Sequence, residues 1–315
     1  MVSTERIYSA DLPKVLPLLS EFNPQSAKID WAKLFNYNWE KDEDYCGLGL
    51  LHGGNVVGFL GTIFSRRRIK NKEIKFCNLT SWYVKEEFRN KALSLMWPIQ
   101  RLKDYTVTDL TPTRDVSLIL DKLGFDELDS RIRILLPFQC GRRKHDAPSA
   151  VFINDGNTII DLLSDTDSKV FHDHLPSQCK HSVIKDKLDY CYIIYTVISV
   201  RKINCAYIHY LSNLDLFLKY NDQFRNDLLT SCNANFIILD SRLVRNENLP
   251  SSFTFPVRAP KFFKSSILTA QQIDNLYSEL TLLNVSTIPR LRSLVWDARH
   301  VLSNWKDHLT KFKRS

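Results

Sequence analysis

The 315-residue sequence is poor in the features that mark several classes of protein. Its 9 glycines and 12 prolines are too few for a collagen-like or low-complexity chain. Its apolar runs stop well short of the roughly 18 residues that a membrane-spanning helix needs. The first residues include Glu5 and Asp11 and contain no continuous apolar stretch. We therefore expect neither a transmembrane segment nor a signal peptide.

Seven cysteines are scattered along the chain, and none of them forms a C-x-x-C pair. Most lie in apolar surroundings, as buried free thiols do in a reducing compartment, so we predict a cytoplasmic protein without disulfides. The segment His172-Asp173-His174, with Cys179 and His181, contains metal-ligand residue types. Its spacing matches no standard zinc site. We predict no bound metal and a solvent-exposed helix face at this segment.

The composition is that of an ordinary globular protein, with 44% hydrophobic and 25% charged residues and a formal net charge of +8. Much of this charge lies in residues 66–75, with six cations, and residues 290–315, with seven. The first segment lies between two predicted strands and is expected to form an exposed hairpin tip. The second has apolar residues at helical spacing, so it either contacts an anionic membrane or a partner, or packs on the body. No recognition motif accompanies the charge, and nucleic acid is an unlikely partner.

The first half alternates between strand and helix patterns. Residues 46–51 and 56–64 are strand-like runs around a glycine-rich turn, which predicts an antiparallel hairpin. A third strand, 73–84, continues through a basic turn into a helix, where unpaired backbone N–H groups favour a bound phosphate. A strand at 105–110, a helix at 113–122 and a closing strand at 131–136 follow.

The sequence motif Val84-x4-Arg89-x-x-Ala92-x-Ser94 resembles the pyrophosphate loop of the GNAT superfamily of acyl-CoA N-acyltransferases. Leu123-Gly124-Phe125 resembles the sequence that precedes the last strand of that family. The resemblance implies that an acyl-CoA, acetyl-CoA or another, is the donor substrate. It also implies two groups of cofactor-binding residues, the pantetheine-lining Trp82, Tyr83 and Val84 and the pyrophosphate-binding Arg89, Asn90, Lys91, Ala92, Leu93 and Ser94.

After a polar segment at 142–149, a similar order of elements recurs. Strands at 190–200 and 203–211, a helix at 214–229 and a strand at 236–240 are followed by a helix at 273–283. We predict an α/β (α+β) chain of two tandem GNAT-like domains, 1–140 and 150–285, each with a mixed, mostly antiparallel sheet flanked by helices. The second domain lacks a recognisable CoA loop, and residues 286–315 form a basic amphipathic C-terminal helix.

Acylation of an amine requires that the amine lose a proton and that the carbonyl be polarised. The resemblance implies that the fourth and fifth strands part around the thioester, near residues 78–82 and 109–111. We predict Asp109 as the base or amine-binding carboxylate, with Ser81 as a hydroxyl partner; alternatively, Asp109 caps the helix after Pro112. The tyrosines of residues 190–210 either line the acceptor pocket or pack the sheet against helices.

The predicted function is transfer of an acetyl or other short acyl group to an amine of a small metabolite or amino sugar. Leu120 and Thr113 stand where the family often has tyrosine and asparagine. The alternative is therefore a catalytically silent GNAT-like binding or scaffold protein.

Overall fold

The computed structural model describes residues 1–22, 29–137, 150–200, 203–257 and 260–285. The predicted amphipathic helix at 286–315 lies outside the described residues. The elements of the first half are β1 (Val2–Ile7), α1 (Leu12–Phe22), α2 (Ala32–Phe35), β2 (Gly47–His52), β3 (Asn55–Ile69), β4 (Lys72–Val84), α3 (Met96–Gln100), β5 (Tyr105–Asp109), α4 (Arg114–Lys122), β6 (Asp126–Leu128) and β7 (Ile132–Leu135).

The second half contains β8 (Val151–Ile153), α5 (Gly156–Ile160), α6 (Asp165–His174), β9 (Lys180–Lys185), β10 (Tyr190–Val200), β11 (Ile203–Leu211), α7 (Leu214–Ser231), β12 (Phe236–Asp240), β13 (Ser252–Phe255), β14 (Lys261–Lys264) and α8 (Glu279–Leu282). Short 3-10 helices cover Ser9–Asp11, Glu86–Leu95, Ser241–Val244 and Ala270–Gln272. No helix in this described part of the chain is both long and apolar enough to cross a membrane.

Two seven-stranded sheets form the body of the molecule. The first has the order β1-β2-β3-β4-β5-β14-β6, and the second has the order β13-β7-β12-β11-β10-β9-β8. In each sheet one pair is parallel, β4 with β5 and β11 with β12, and the other pairs are antiparallel. The predicted fold class, two mixed and mostly antiparallel sheets flanked by helices, is confirmed.

The two halves exchange one strand each. We expected β7 to close the sheet of its own half, but it lies in the second sheet between β12 and β13. In return, β14 lies in the first sheet between β5 and β6. All four residues of β7 are buried, so the strand fits the interior of either sheet. The alternation of apolar and polar residues therefore does not determine which strands pair with β7. The exchange joins the two sheets into one interwoven body.

Residues 270–285, which we call the strap, cross between the two sheets. We predicted a continuous helix at 273–283, but only Glu279–Leu282 is helical. Polar side chains bind the strap backbone instead: Asp274 Oδ1 accepts from Leu276 N at 2.9 Å, and Ser278 Oγ donates to Asn275 O at 2.7 Å. Such local bonds compete with a helix, which explains the difference.

The histidine segment on α6 differs from its prediction in one respect. His172 is exposed, but His174 is fully buried and its Nδ1 lies 2.9 Å from Val170 O. Burial lowers the pKa of His174 to about 3. The side chain is therefore a neutral part of the core. Within the described ranges, no three His, Cys, Asp or Glu side chains are grouped as a metal site requires.

Candidate active site at the parting of the two central strands

The parallel pairing of β4 with β5 ends at Leu79 and Asp109, while β4 continues alongside β3 to Val84. A β-bulge follows directly on β4. At the bulge, two consecutive residues of β4 lie opposite a single residue of β3. Ser81 lies in this bulge with a left-handed φ of 53°. Bulges of this kind redirect a strand and occur often beside active sites. The first sheet therefore opens at the carboxyl end of β5.

Asp109 is buried at this opening, with 4% of its surface exposed. Its Oδ1 accepts a hydrogen bond from Thr111 N at 3.3 Å. It does not cap α4, because that role belongs to Thr113, whose Oγ1 accepts from Val116 N. Burial raises the pKa of Asp109 well above its ordinary value, and the charge of Glu279 raises it further.

Glu279, at the start of α8, is the second carboxyl group of the site. It is fully buried, and neither of its carboxyl oxygens has a hydrogen-bond partner among the described residues. Burial raises the pKa of Glu279 to about 7, although the nearby Thr111 and Asn78 side chains and the charge of Lys261 oppose the shift. Nothing in the sequence marks Glu279 as a site residue, because a glutamate in the first turn of a helix is ordinarily exposed and favoured by the helix dipole.

Asn78 holds the strap against the opening. Its Nδ2 donates to Thr108 Oγ1 at 3.1 Å, and its Oδ1 accepts from Glu279 N at 3.1 Å. The side chain is 1% exposed, so the geometry is fixed by packing as well as by hydrogen bonds. Asn78 thereby brings Glu279, from the second half, to the end of β5 in the first half.

Ser81, the predicted hydroxyl partner, is half-buried, and its Oγ lies 3.2 Å from Thr80 Oγ1. No hydrogen bond joins it to Asp109 in the described part of the chain. The structure therefore brings Asp109 together with Glu279 and Asn78, while the Ser81 hydroxyl stays at the bulge.

The segment that resembles a pyrophosphate loop has a tighter backbone than we expected. Instead of a turn followed by an α-helix, residues Glu86–Leu95 form a 3-10 helix before α3. Arg89, Asn90, Lys91 and Leu93 are exposed, whereas Trp82, Tyr83, Ala92 and Ser94 are half-buried and Val84 is buried. Ser94 Oγ lies 2.9 Å from Thr4 Oγ1 and donates to Lys91 O at 2.8 Å. The three exposed polar side chains are free to meet a ligand.

Three tyrosines of β10 and β11 form a partly buried hydrogen-bond network with Asp167 and His181. Tyr190 and Tyr210 both donate to the carboxylate of Asp167, at 2.7 and 3.2 Å, and the Tyr192 hydroxyl lies 2.7 Å from His181 Nδ1. Their hydroxyl groups are thus occupied by protein partners. These contacts favour the packing interpretation over an acceptor pocket.

The basic segment 66–75 is less exposed than we predicted. Arg67 is buried and binds Asp274 of the strap through two hydrogen bonds of 2.7 Å. Arg66 pairs with Glu40, Asp42 and Glu73. Arg68 and residues 70–73 at the tip are exposed. A cavity of about 210 Å³ beside Arg67 lies at the end of β4 away from Asp109.

The equivalent point of the second sheet also has a buried aspartate. The β11–β12 pairing ends at Ile208 and Leu239, and Asp240 follows, fully buried. Lys261 Nζ lies 2.7 Å from Asp240 Oδ2, and Arg242 Nη2 lies 3.0 Å from the same oxygen. Although burial opposes it, these two cations hold the pKa of Asp240 below its ordinary value.

No protein-family model matches the chain, and no curated protein matches it by sequence. Solved structures do match its fold. A GCN5-related N-acetyltransferase from Anabaena variabilis ATCC 29413 is similar with a TM-score of 0.54 and 11% identity, over 84% of this chain and 72% of that one. A protein of Enterococcus faecalis V583 described as a probable N-acyltransferase is similar with a TM-score of 0.54 and 10% identity, over the same shares.

The chain has a tandem GNAT-like fold. At these identities the likeness concerns architecture and carries no information about the acyl group or its acceptor. Within the GNAT-like fold, the opening beside Asp109 lies in the half that carries the loop-like segment 84–94. The corresponding point of the other half is closed by the ion pair of Lys261 and Asp240.

Proposed function

We propose that the protein is an acyl-CoA-dependent N-acyltransferase that transfers an acetyl or other short acyl group to an amine of a small metabolite or amino sugar. The observation that carries the proposal is the opening between β4 and β5, with two buried carboxyl groups beside it, in a GNAT-like fold. The activities in the names of the two similar structures, N-acetyltransferase and N-acyltransferase, agree with it.

The proposed roles divide between the two halves. Residues 1–140 form the acyl-CoA-binding half, in which the segment from Arg89 to Ser94 contacts the pyrophosphate and Trp82 to Val84 line the pantetheine arm. Residues 150–285 form the supporting half, apart from the exchanged strands β7 and β14. The six described cysteines are free, and five of them are buried, which supports a reducing compartment such as the cytoplasm.

Asp109 is proposed to bind or deprotonate the acceptor amine. An ammonium group must lose a proton before its nitrogen can attack the thioester carbonyl carbon. A carboxyl group whose pKa is raised by burial is a better proton acceptor near neutral pH than an exposed one. The attack forms the C–N bond and breaks the C–S bond, and the leaving thiolate takes up a proton to give CoA–SH.

A catalytically silent GNAT-like scaffold is the second candidate, and two observations favour it. Leu120 is fully buried in the core beneath α4, so no side-chain acid stands at that position for the departing thiolate. The 3-10 helix at Glu86–Leu95 directs backbone N–H groups into its own hydrogen bonds rather than toward a phosphate.

Calorimetric titration with CoA and acetyl-CoA tests the proposal. We expect binding that Arg89→Glu abolishes, because the reversed charge repels the pyrophosphate. Arg101→Glu, an exposed residue beyond the loop, is the matched control and should bind CoA as the wild type does. Absence of binding at millimolar CoA would remove the enzyme hypothesis. Binding without release of free thiol over a panel of amines and amino sugars would favour the scaffold.

A further inference from the structure

The cavity beside Arg67 lies at the other end of β4 from the candidate active site. It measures about 210 Å³, the volume of roughly seven water molecules. Arg67 pairs with Ile74 on β4, whereas Asp109 pairs with Leu79. Ile74 and Leu79 are five positions apart, which is about 17 Å along a strand. The cavity is therefore separate from the opening at Asp109.

The inner wall of the cavity is formed by three buried residues, Arg67, Val170 and Tyr277. Arg67 donates two hydrogen bonds to Asp274, and its guanidinium lies 5.4 Å from the centre of the Tyr277 ring. A guanidinium has five N–H donors, so Asp274 does not use them all. The Nε of Arg67 is buried and has no hydrogen-bond partner among the described residues. The inner wall thus carries a buried cation with unused donors.

The edge of β3 adds further donors to the same cavity. Arg66 and Arg68 both line it. The backbone N–H of Arg66 donates to Glu40 O at 2.7 Å, and N–H groups two residues apart face the same edge of a strand. The N–H of Arg68 therefore faces the edge beside the cavity. The side chain of Arg68 is exposed and belongs to no ion pair in the described ranges.

Three carboxylates also line the cavity, but two of them are already paired. Glu40 lies 3.7 Å from Arg66 and 3.3 Å from Lys169, and Glu73 lies 3.5 Å from Arg66. The third, Asp165, is exposed in the first turn of α6, where the helix dipole and unpaired N–H groups favour a negative charge. The lining carboxylates therefore leave the donors of the inner wall unoccupied.

We propose that this cavity is a second ligand site, which binds the carboxylate or phosphate group of a small molecule through Arg67 and Arg68. Both groups accept several N–H bonds at once, and a guanidinium is the side chain best suited to donate them. Asp274 shows this mode of binding, because its two oxygens accept from Nη1 and Nη2 of Arg67 at 2.7 Å each. The site does not depend on the proposed acyl transfer, in which none of its residues takes part.

Two probes test the site and distinguish the two kinds of anion. Sodium phosphate and sodium acetate are titrated into the full chain, each against sodium chloride at equal ionic strength. Binding is measured by calorimetry and by thermal shift. We expect at least one of the two anions to bind saturably, and the tighter of the two identifies the group that the site prefers. A melting temperature that rises without saturation is a general effect of the salt and counts against the site.

Two variants locate the binding. Arg68→Gln removes the charge of an exposed side chain and should weaken binding at least threefold. Thr166→Trp, in the exposed first turn of α6, fills the mouth of the cavity and should abolish binding. Thr230→Trp, at an exposed position of α7, is the matched control and should bind as the wild type does. Arg67 is left unchanged, because its loss would also break the ion pair with Asp274.

Three results would overturn the proposal. The first is the absence of saturable binding of either anion, and the second is wild-type affinity in Arg68→Gln or Thr166→Trp. Because the proposed pyrophosphate-binding segment can also attract phosphate, Arg89→Glu is measured as well and should leave binding in the cavity unchanged. Phosphate binding that Arg89→Glu abolishes and Thr166→Trp preserves is the third result. It would support the acyl-CoA proposal and remove the second site, so the two proposals fail independently.

Discussion

The two buried aspartates, Asp109 and Asp240, end the central parallel strands of the two sheets but have different charged neighbours. At Asp240 the charge is neutralised by Lys261 and Arg242, and the carboxylate also accepts from the Tyr207 hydroxyl at 2.9 Å. At Asp109 the nearest charged group is a second carboxyl group, Glu279. The first arrangement neutralises a buried carboxylate with cations, whereas the second leaves two buried carboxyl groups whose pKa values are raised. Ionising such groups costs stability, and perturbed carboxyl groups of this kind are common at functional sites.

The neutralised site also joins the two halves. Lys261 belongs to the first sheet through β14, whereas Asp240 belongs to the second through β12. Asn275 of the strap completes the group, because its Oδ1 accepts from both Lys261 Nζ at 3.0 Å and Arg242 Nη2 at 2.6 Å. This cluster therefore holds the strand exchange and the strap in place, and so it positions Glu279 at the other site.

The largest expected effect comes from breaking the neutralised site. Lys261→Met removes one partner of a buried ion pair and leaves the Asp240 carboxylate under-compensated, which should cost about 3–5 kcal/mol in the free energy of unfolding. Urea denaturation followed by circular dichroism measures the loss. Lys264→Met, on the same strand, is the matched control: its ammonium binds only neutral oxygens, of Gln100 and Leu123, so we expect a loss of about 1–2 kcal/mol. Equal losses for the two variants would contradict the assignment of Lys261 as the stabilising cation.

The second largest expected effect is a gain in the free energy of unfolding, on replacement of Glu279. Its pKa is raised from 4.5 to about 7 in the folded protein, so the folded state holds that proton more tightly than the unfolded state does. Stability contributed by this group is therefore present below about pH 4.5 and is lost as the pH rises to about 7. Glu279→Gln should remove the loss, and should be more stable than the wild type by roughly 3 kcal/mol at pH 8 but not at pH 4.

Urea denaturation at a series of pH values from 4 to 8 measures this difference. Glu127→Gln, an exposed carboxyl group on β6, controls for the loss of an acidic residue as such and should leave the pH dependence unchanged. If Glu279→Gln proves less stable than the wild type at pH 8, the carboxylate has a stabilising partner and the contrast between the two sites fails.

Much of the fold follows from the sequence because it rests on local patterns. Strand alternation and the glycines at Gly53 and Gly54, with φ of 57° and 81°, predict the β2–β3 hairpin correctly. The recurrence of the same element order predicts two similar sheets. The exchange of β7 and β14 was not predictable, because partner choice depends on packing between distant segments.

The candidate site was predictable only in part for the same reason. Asp109 was found because it ends a strand at the place where the resemblance puts the reaction. Glu279 was missed, because its importance comes from burial by residues about 200 positions away, such as its hydrogen-bond partner Asn78, whose separation is 201. Nor does the sequence distinguish Lys261 and Arg131 as buried and exposed cations, since each stands directly before a short run of apolar residues.

The smallest expected effect concerns Arg131 and tests whether this cation stabilises the first site as Lys261 stabilises the second. Its ion pair with Asp129 is exposed and screened by solvent, so Arg131→Met should leave the free energy of unfolding unchanged within the error of urea denaturation. A loss comparable with that of Lys261→Met would show that Arg131 neutralises the carboxyl groups of the first site in solution. In that case a cation would neutralise the carboxyl groups at each strand end, and the contrast between the two sites would fail.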